Sequence, residues 1–151
     1  MINSVLVVCV GNICRSPLGE RLLRADLRQR GSSISVSSAG LHALVGEPAD
    51  AETALVAEKN GVSMDAHQAR QFTDELARIS DLILVMEPGH KTEIVRKAPD
   101  LSGKIMLFDQ WSGGKGIMDP YKRSREFHEA VFLLVRDASQ AWAARLAPAA
   151  R

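Results

Sequence analysis

Two runs constrain this chain more than anything else in it. Ser4–Val10 (SVLVVCV) and Asp81–Met86 (DLILVM) are short, nearly continuous apolar stretches rich in β-branched and aliphatic residues. A strand with one wet face alternates polar and apolar residues, whereas a strand covered on both faces does not. Both runs therefore read as buried strands, and their burial requires helices on each side of a sheet. The intervening segments supply them. Pro17 suits the first turn of a helix, and Leu18, Leu22, Leu23 and Leu27 follow at helical spacing, ending near Gly31. Ile34–Ser38 reads as a second strand, closed by Ala39 and Gly40. Ala49–Asn60 reads as a helix stopped by Gly61, Phe72–Ile79 and Pro88–Lys97 as further helices, and Lys104–Phe108 as a last strand. Phe127, Val131, Leu134, Val135, Ala138 and Trp142 mark one face of a long final helix, and Ala147–Arg151 reads as a frayed end. The alternation predicts an α/β fold: a three-layer sandwich with a four-stranded parallel sheet flanked by helices.

Composition narrows the function classes. The 151 residues fit a single domain spanning 1–151. Lysine plus arginine number 19 and aspartate plus glutamate 18, a net charge of +1, which leaves no broad basic footprint for nucleic acid or an anionic membrane. No window is long and apolar enough to insert in a bilayer, and no basic n-region precedes Val5–Val10, so a cytoplasmic protein is expected. Cys9 and Cys14 are the two cysteines. A bond between them would close too short a loop to act as a structural staple. With four scattered histidines (His42, His67, His90, His128), they make no zinc set, and no metal or cofactor is expected.

The chemistry concentrates in VCVGNICRSP, Val8–Pro17, between the first strand and the first helix. In open parallel sheets ligands sit beyond the carboxyl ends of the strands. A loop leaving a buried strand for a helix can turn successive N–H groups inward as an anion nest, and the helix dipole adds positive potential. Gly11 and Asn12 tolerate left-handed backbone. Arg15 offers a planar fork for two phosphate oxygens. Cys9 stands at the start of this loop, where a thiolate is stabilised and Ser16 can donate a hydrogen bond to it. A lone cysteine in a strand is more often a small core residue. The C-x5-R-S pattern at this junction reverses that preference. The nucleotide-binding pattern G-x4-G-K-[S/T] is absent.

VCVGNICRSP resembles the signature of the low-molecular-weight protein tyrosine phosphatases, and the likeness runs along the chain. It includes the SAG turn at Ser38–Gly40, HQARQ at His67–Gln71, the DLILVM strand and DPY at Asp119–Tyr121. SAGL followed by ALVG within Ser38–Gly46, and DPYKRS at Asp119–Ser124, look most like bacterial members encoded with capsule or exopolysaccharide machinery. The resemblance implies that family's fold and a protein tyrosine phosphatase working through a phosphocysteine intermediate. Cys9 is then the nucleophile, Arg15 and the loop residues Val10, Gly11, Asn12, Ile13, Cys14 and Ser16 bind phosphate, and Asp119 is the general acid. Ser38 and His67 match positions that support the loop. Tyr121 and Leu41 are the expected walls of a phosphotyrosine slot, although an isolated surface leucine is also ordinary. Lys122, Arg123 and Arg125 read as the solvated first turn of the last helix, with attraction of an acidic phosphopeptide as the alternative. Cys14 is either an inward-packed small residue or the redox partner of Cys9, as in relatives carrying both cysteines. Animal members have two consecutive tyrosines where this chain has Tyr121 and Lys122, so regulation through that pair is not expected.

The implied partner is a phosphotyrosine protein, specifically an autophosphorylated bacterial tyrosine kinase controlling polysaccharide export, and the expected state is a monomer. Two rival readings share parts of this pattern. A thiol-dependent arsenate reductase shares the C-x5-R loop but needs a downstream cysteine pair, and no cysteine follows Cys14. A non-catalytic phosphotyrosine-binding module would be favoured by loss of Cys9, Arg15 or Asp119, and all three are present.

Overall fold

The computed structural model describes residues 1–148. Its strands are β1 (Ser4–Cys9), β2 (Ser35–Gly40), β3 (Leu82–Val85) and β4 (Ile105–Leu107). Its helices are α1 (Arg15–Gln29), α2 (Ala51–Lys59), α3 (Asp74–Ile79), α4 (Pro88–Lys97) and α5 (Arg125–Leu146), with a 3₁₀ turn at Pro99–Lys104. The strands form one parallel sheet in the order β2-β1-β3-β4.

Alternation along β1 divides the core. Val5, Val7 and Cys9 face a cluster built with Leu18, Leu22, Leu23 and Leu27 of α1 and with residues of α2 and α5. Leu6 and Val8 face the opposite cluster, with Ala77 of α3, Ile94 of α4 and Leu101. Helices thus cover both faces, which is the predicted three-layer arrangement. Gly19 of α1 is packed closely: a Cβ there would lie 2.8 Å from the Phe108 ring and 3.2 Å from Val7. The missing side chain lets α1 settle on the sheet, although glycine in a helix interior is unfavourable by about 1 kcal/mol relative to alanine.

Two details differ from the sequence expectation. The buried stripe of α5 runs through His128, Val131, Phe132, Val135, Ala138, Ser139, Trp142 and Ala143, while Leu134 is exposed. The stripe is rotated toward His128 and Phe132 because α1 and α2 both pack on that side, and Leu134 lies past its other edge. At the C-terminus, Ala147 is not frayed: its N–H donates to the Ala143 carbonyl, and its carbonyl accepts from Arg30 at 3.1 Å. Residues 149–151 lie outside the described residues.

Sheet order locates the site. From β1 the chain reaches β2 on one side, then crosses to β3 on the other. The carboxyl end of β1 is therefore the switch point, where loops diverge and leave a crevice. Cys9 is the last residue of β1.

Candidate active site

The loop from Cys9 to Arg15 is held from outside by its carbonyls. The Cys9 carbonyl accepts from Leu41 N–H at 2.9 Å, Val10 from His42 at 3.0 Å, Gly11 from Leu44 at 3.1 Å and Ile13 from Asp50 at 2.9 Å. His67 Nε2 donates to the Asn12 carbonyl at 2.6 Å. In a trans peptide the C=O and the following N–H point in opposite directions. Five carbonyls drawn outward therefore turn the next N–H groups inward. Among the described residues the N–H groups of Gly11, Asn12, Ile13 and Cys14 meet no acceptor. This is an anion nest ready for the oxygens of a phosphate.

Asn12 takes the left-handed conformation that the turn needs, with φ 58°. Its buried side chain braces the loop. Nδ2 donates to Ser16 Oγ at 2.7 Å and Ser38 Oγ at 3.0 Å, and Oδ1 accepts from Arg70 N–H at 2.9 Å. Ser38 in turn donates to Glu20 at 2.6 Å, and Arg24 donates to the same carboxylate at 2.7 Å. Because Asn12 donates into Ser16 Oγ, the Ser16 hydroxyl proton is free to point at Cys9 Sγ, 2.9 Å away. Gly40 explains why the SAG turn ends in glycine. A Cβ there would lie 2.3 Å from the Val10 carbonyl oxygen and 2.9 Å from the Asn12 nitrogen, so β2 passes directly against the loop. Gly40→Ala is expected to reduce kcat/KM by about 100-fold through displacement of the loop, with a smaller loss of phosphate affinity; steady-state kinetics and phosphate titration check this.

Arg15 is 1% exposed. One terminal nitrogen donates to Glu87 at 2.6 Å and to the Ile117 carbonyl at 2.7 Å. The other is 3.8 Å from Asp119, and Nε is buried with no partner. A buried donor without an acceptor is unfavourable unless a ligand completes it. The tethered nitrogen thus fixes the guanidinium, and Nε with the remaining nitrogen stays available for a bidentate oxyanion. Glu87 is itself aligned by His90, whose Nδ1 accepts from Glu87 N–H at 3.2 Å and whose Nε2 is 3.4 Å from the carboxylate. Burial, and next the positive charge of Arg15, push the His90 pKa below its ordinary value, with Glu87 opposing. The imidazole is therefore neutral near pH 7, as an accepting Nδ1 requires.

These groups line a cavity of about 200 Å³. Cys9, Gly11 and Arg15 line it together with His42 and Leu44 from the segment after β2 and with Asp119 and Tyr121 from the segment before α5. Asp119 is tied to its loop by Tyr121 N–H, which donates to Oδ1 at 3.0 Å. A larger cavity of about 510 Å³ beside α2 reaches His67 but is lined by no cysteine and no arginine. Val10, Gly11, Ile13 and Cys14 line the same cavity, Ser16 is hydrogen-bonded to the sulfur, and Ser38 and His67 bear on Asn12.

Leu41 does not form the expected wall. Its side chain is buried in the α3–α4 side of the core, because Leu41 N–H pairs with Cys9 and continues the β2 alternation inward. His42 and Leu44 stand at the cavity instead. Lys122 and Arg123 lie in the turn before α5, and only Arg125 is in its first turn. The Lys122 ammonium sits over the Tyr121 ring at 5.4 Å, Arg123 stacks on Phe127 at 4.3 Å, and Arg125 pairs with Glu52. Cys14 is a free, buried thiol packed with Ile13 and Ala69. Burial pushes its pKa up to about 12; the Thr53 hydroxyl opposes this, while the negative charges of Asp50, Cys9 and Asp119 add to it. Glu20, Arg70 and Glu87 bear on the site as well, beyond the residues that the sequence points to. Glu20 follows Ser16 by one helical turn, and Glu87 directly follows the second apolar strand, so both had positional signals.

Comparison with known proteins agrees with this geometry. Residues 4–150 match the family model described as low molecular weight phosphotyrosine protein phosphatase. The chain is 51% identical over 144 residues to the low molecular weight protein-tyrosine-phosphatase Etp of Escherichia coli K12, covering 95% of each. It superposes with a TM-score of 0.92, at 49% identity and covering 97% of this chain and 99% of the other, on the tyrosine phosphatase Wzb of Escherichia coli K30 in complex with sulphate. Vibrio vulnificus Wzb in complex with benzylphosphonate gives a TM-score of 0.90 at 46% identity, covering 96% and 99%. A cysteine, a tethered arginine and an aspartate around an amide-lined cavity thus coincide with sequence and fold likeness over nearly the whole chain, which belongs to the low molecular weight phosphotyrosine protein phosphatase family.

Proposed function

We propose that the chain hydrolyses phosphotyrosine in proteins through a phosphocysteine intermediate. The observation that carries this is the set of unpartnered donors, the loop amides and Arg15 Nε, converging on a cavity that contains Cys9. In the first step the Cys9 thiolate attacks phosphorus, the S–P bond forms and the P–O bond to the phenol breaks. The amides and Arg15 stabilise charge on the equatorial oxygens. Asp119 gives its proton to the leaving phenolate. In the second step Asp119 takes a proton from water as the water attacks phosphorus and the thiolate leaves. No step requires a metal. Tyr121 and Leu44 both line the cavity and suit an aromatic ring.

The likeness to capsule- and exopolysaccharide-associated members extends the proposal to an autophosphorylated tyrosine kinase as substrate. Cys14 lining the same cavity supports a redox role: a peroxide oxidises Cys9 to a sulfenic acid, and the Cys14 thiol condenses with it, releasing water. The high pKa of Cys14 makes that condensation slow at neutral pH.

Turnover of phosphotyrosine, phosphoserine and arsenate side by side tests the reading. Phosphotyrosine alone is expected to turn over, and arsenate reduction would overturn the assignment. Asp119→Asn is expected to lower kcat/KM for phosphotyrosine about 100-fold or more, with a smaller loss on 4-nitrophenyl phosphate, whose leaving group needs little protonation. Equal losses would count against Asp119 as the acid.

A further inference from the structure

Asp109 is 5% exposed and faces no cationic side chain within ion-pair distance among the described residues. It follows β4 by two positions and opens the loop that ends at Asp119. Its carboxylate accepts from Lys115 N–H at 3.2 Å and from Gly116 N–H at 3.0 Å. Its carbonyl accepts from Ser112 and Gly113 at 3.1 Å and from Gly114 at 2.8 Å. One residue thus gathers five backbone N–H groups of residues 112–116. Buried acceptors are unfavourable without donors, so the side-chain oxygens and the carbonyl of Asp109 together tie residues 112–116 in place.

The far end of the loop is anchored next to the site. Gly116 has φ 98°, and a Cβ there would lie 3.2 Å from both the Met86 carbonyl and the Pro88 ring. Ile117 N–H donates to the Met86 carbonyl at 2.7 Å, and the Ile117 carbonyl accepts from Arg15 at 2.7 Å. Asp119 stands two residues on, 3.8 Å from Arg15.

We propose that Asp109 is a positioning residue for proton transfer: it sets the loop that aims Asp119 at the leaving oxygen. The proposal rests on the phosphatase reading above. Asp109 touches neither substrate nor reacting atoms. Its effect reaches the chemistry through the backbone of residues 115–119, so it should follow how much the leaving group needs a proton.

The test compares kcat/KM for a phosphotyrosyl peptide and for 4-nitrophenyl phosphate in the wild type, Asp109→Ala and Asp109→Asn. In Asp109→Ala the peptide-to-nitrophenyl ratio is expected to fall about tenfold, and the alkaline limb of the kcat/KM profile, which reports the protonated acid, to flatten. Asp109→Asn retains one acceptor oxygen and should restore part of the ratio. If Asp109→Ala fails to fold, Gly116→Ala disturbs the same loop from its other end and should lower the ratio likewise. An unchanged ratio, or equal losses on both substrates with a lower Tm, would overturn the positioning role and indicate stability alone. A wild type that turns over 4-nitrophenyl phosphate but no phosphotyrosyl peptide would overturn the function reading instead.

Discussion

Cys9→Ser is expected to abolish phosphatase turnover, by on the order of 10⁵-fold, while inorganic phosphate still binds. A serine hydroxyl at this position is not ionised near neutral pH, and Ser16 supplies a hydrogen bond but no base. The loop amides and Arg15 are untouched by the substitution, so the oxyanion site survives. Single-turnover assays on a phosphotyrosyl peptide and phosphate titration followed by NMR separate the two effects. Retained turnover would remove Cys9 from the role of nucleophile. Loss of phosphate binding as well would mean that the sulfur is needed to shape the loop.

Arg15→Lys is expected to lower kcat/KM by about 10³-fold although the charge is kept. Arg15 uses one nitrogen for Glu87 and Ile117 and leaves Nε and the other nitrogen for the oxyanion. Lysine has a single ammonium. If it pairs with Glu87 it cannot also present two parallel donors to phosphate. If it turns to phosphate, Glu87 and the Ile117 carbonyl lose their partner, and the Asp119 loop loses a tether. The loss should therefore fall on kcat as well as on phosphate affinity. Kinetics and phosphate titration on one preparation check this, and a loss confined to KM would show that only ground-state binding was removed.

Much of the site was legible because its groups are local in sequence. Cys9, Asn12, Arg15 and Ser16 lie within eight consecutive residues, and a strand-to-helix junction leaves a short loop few ways to run. Asp119, Ser38 and His67 are distant and came from motif resemblance; their spacing alone says nothing of contact. Leu41 departs from the expected slot wall for a clear reason. A two-residue period continues past Gly40 because Leu41 pairs with Cys9, and this sends the leucine inward and brings His42 and Leu44 to the opening. Leu134 is exposed, contrary to expectation, because a helix with apolar residues on more than one side does not show which side its neighbours cover.

By itself the sequence determined the layered α/β architecture and pointed to the loop at the end of β1 as the candidate site. Apolar runs without alternation can be satisfied only between two layers of helix, and C-x5-R-S at such a junction suits an oxyanion. Tertiary structure decided how that chemistry is held. Glu20 under Ser38, and Glu87 and Ile117 on Arg15, are joined across 18 to 102 positions by hydrogen bonds of buried or half-buried groups. Such groups take whichever partners packing brings within about 3 Å, and a linear pattern of residue types does not encode that proximity.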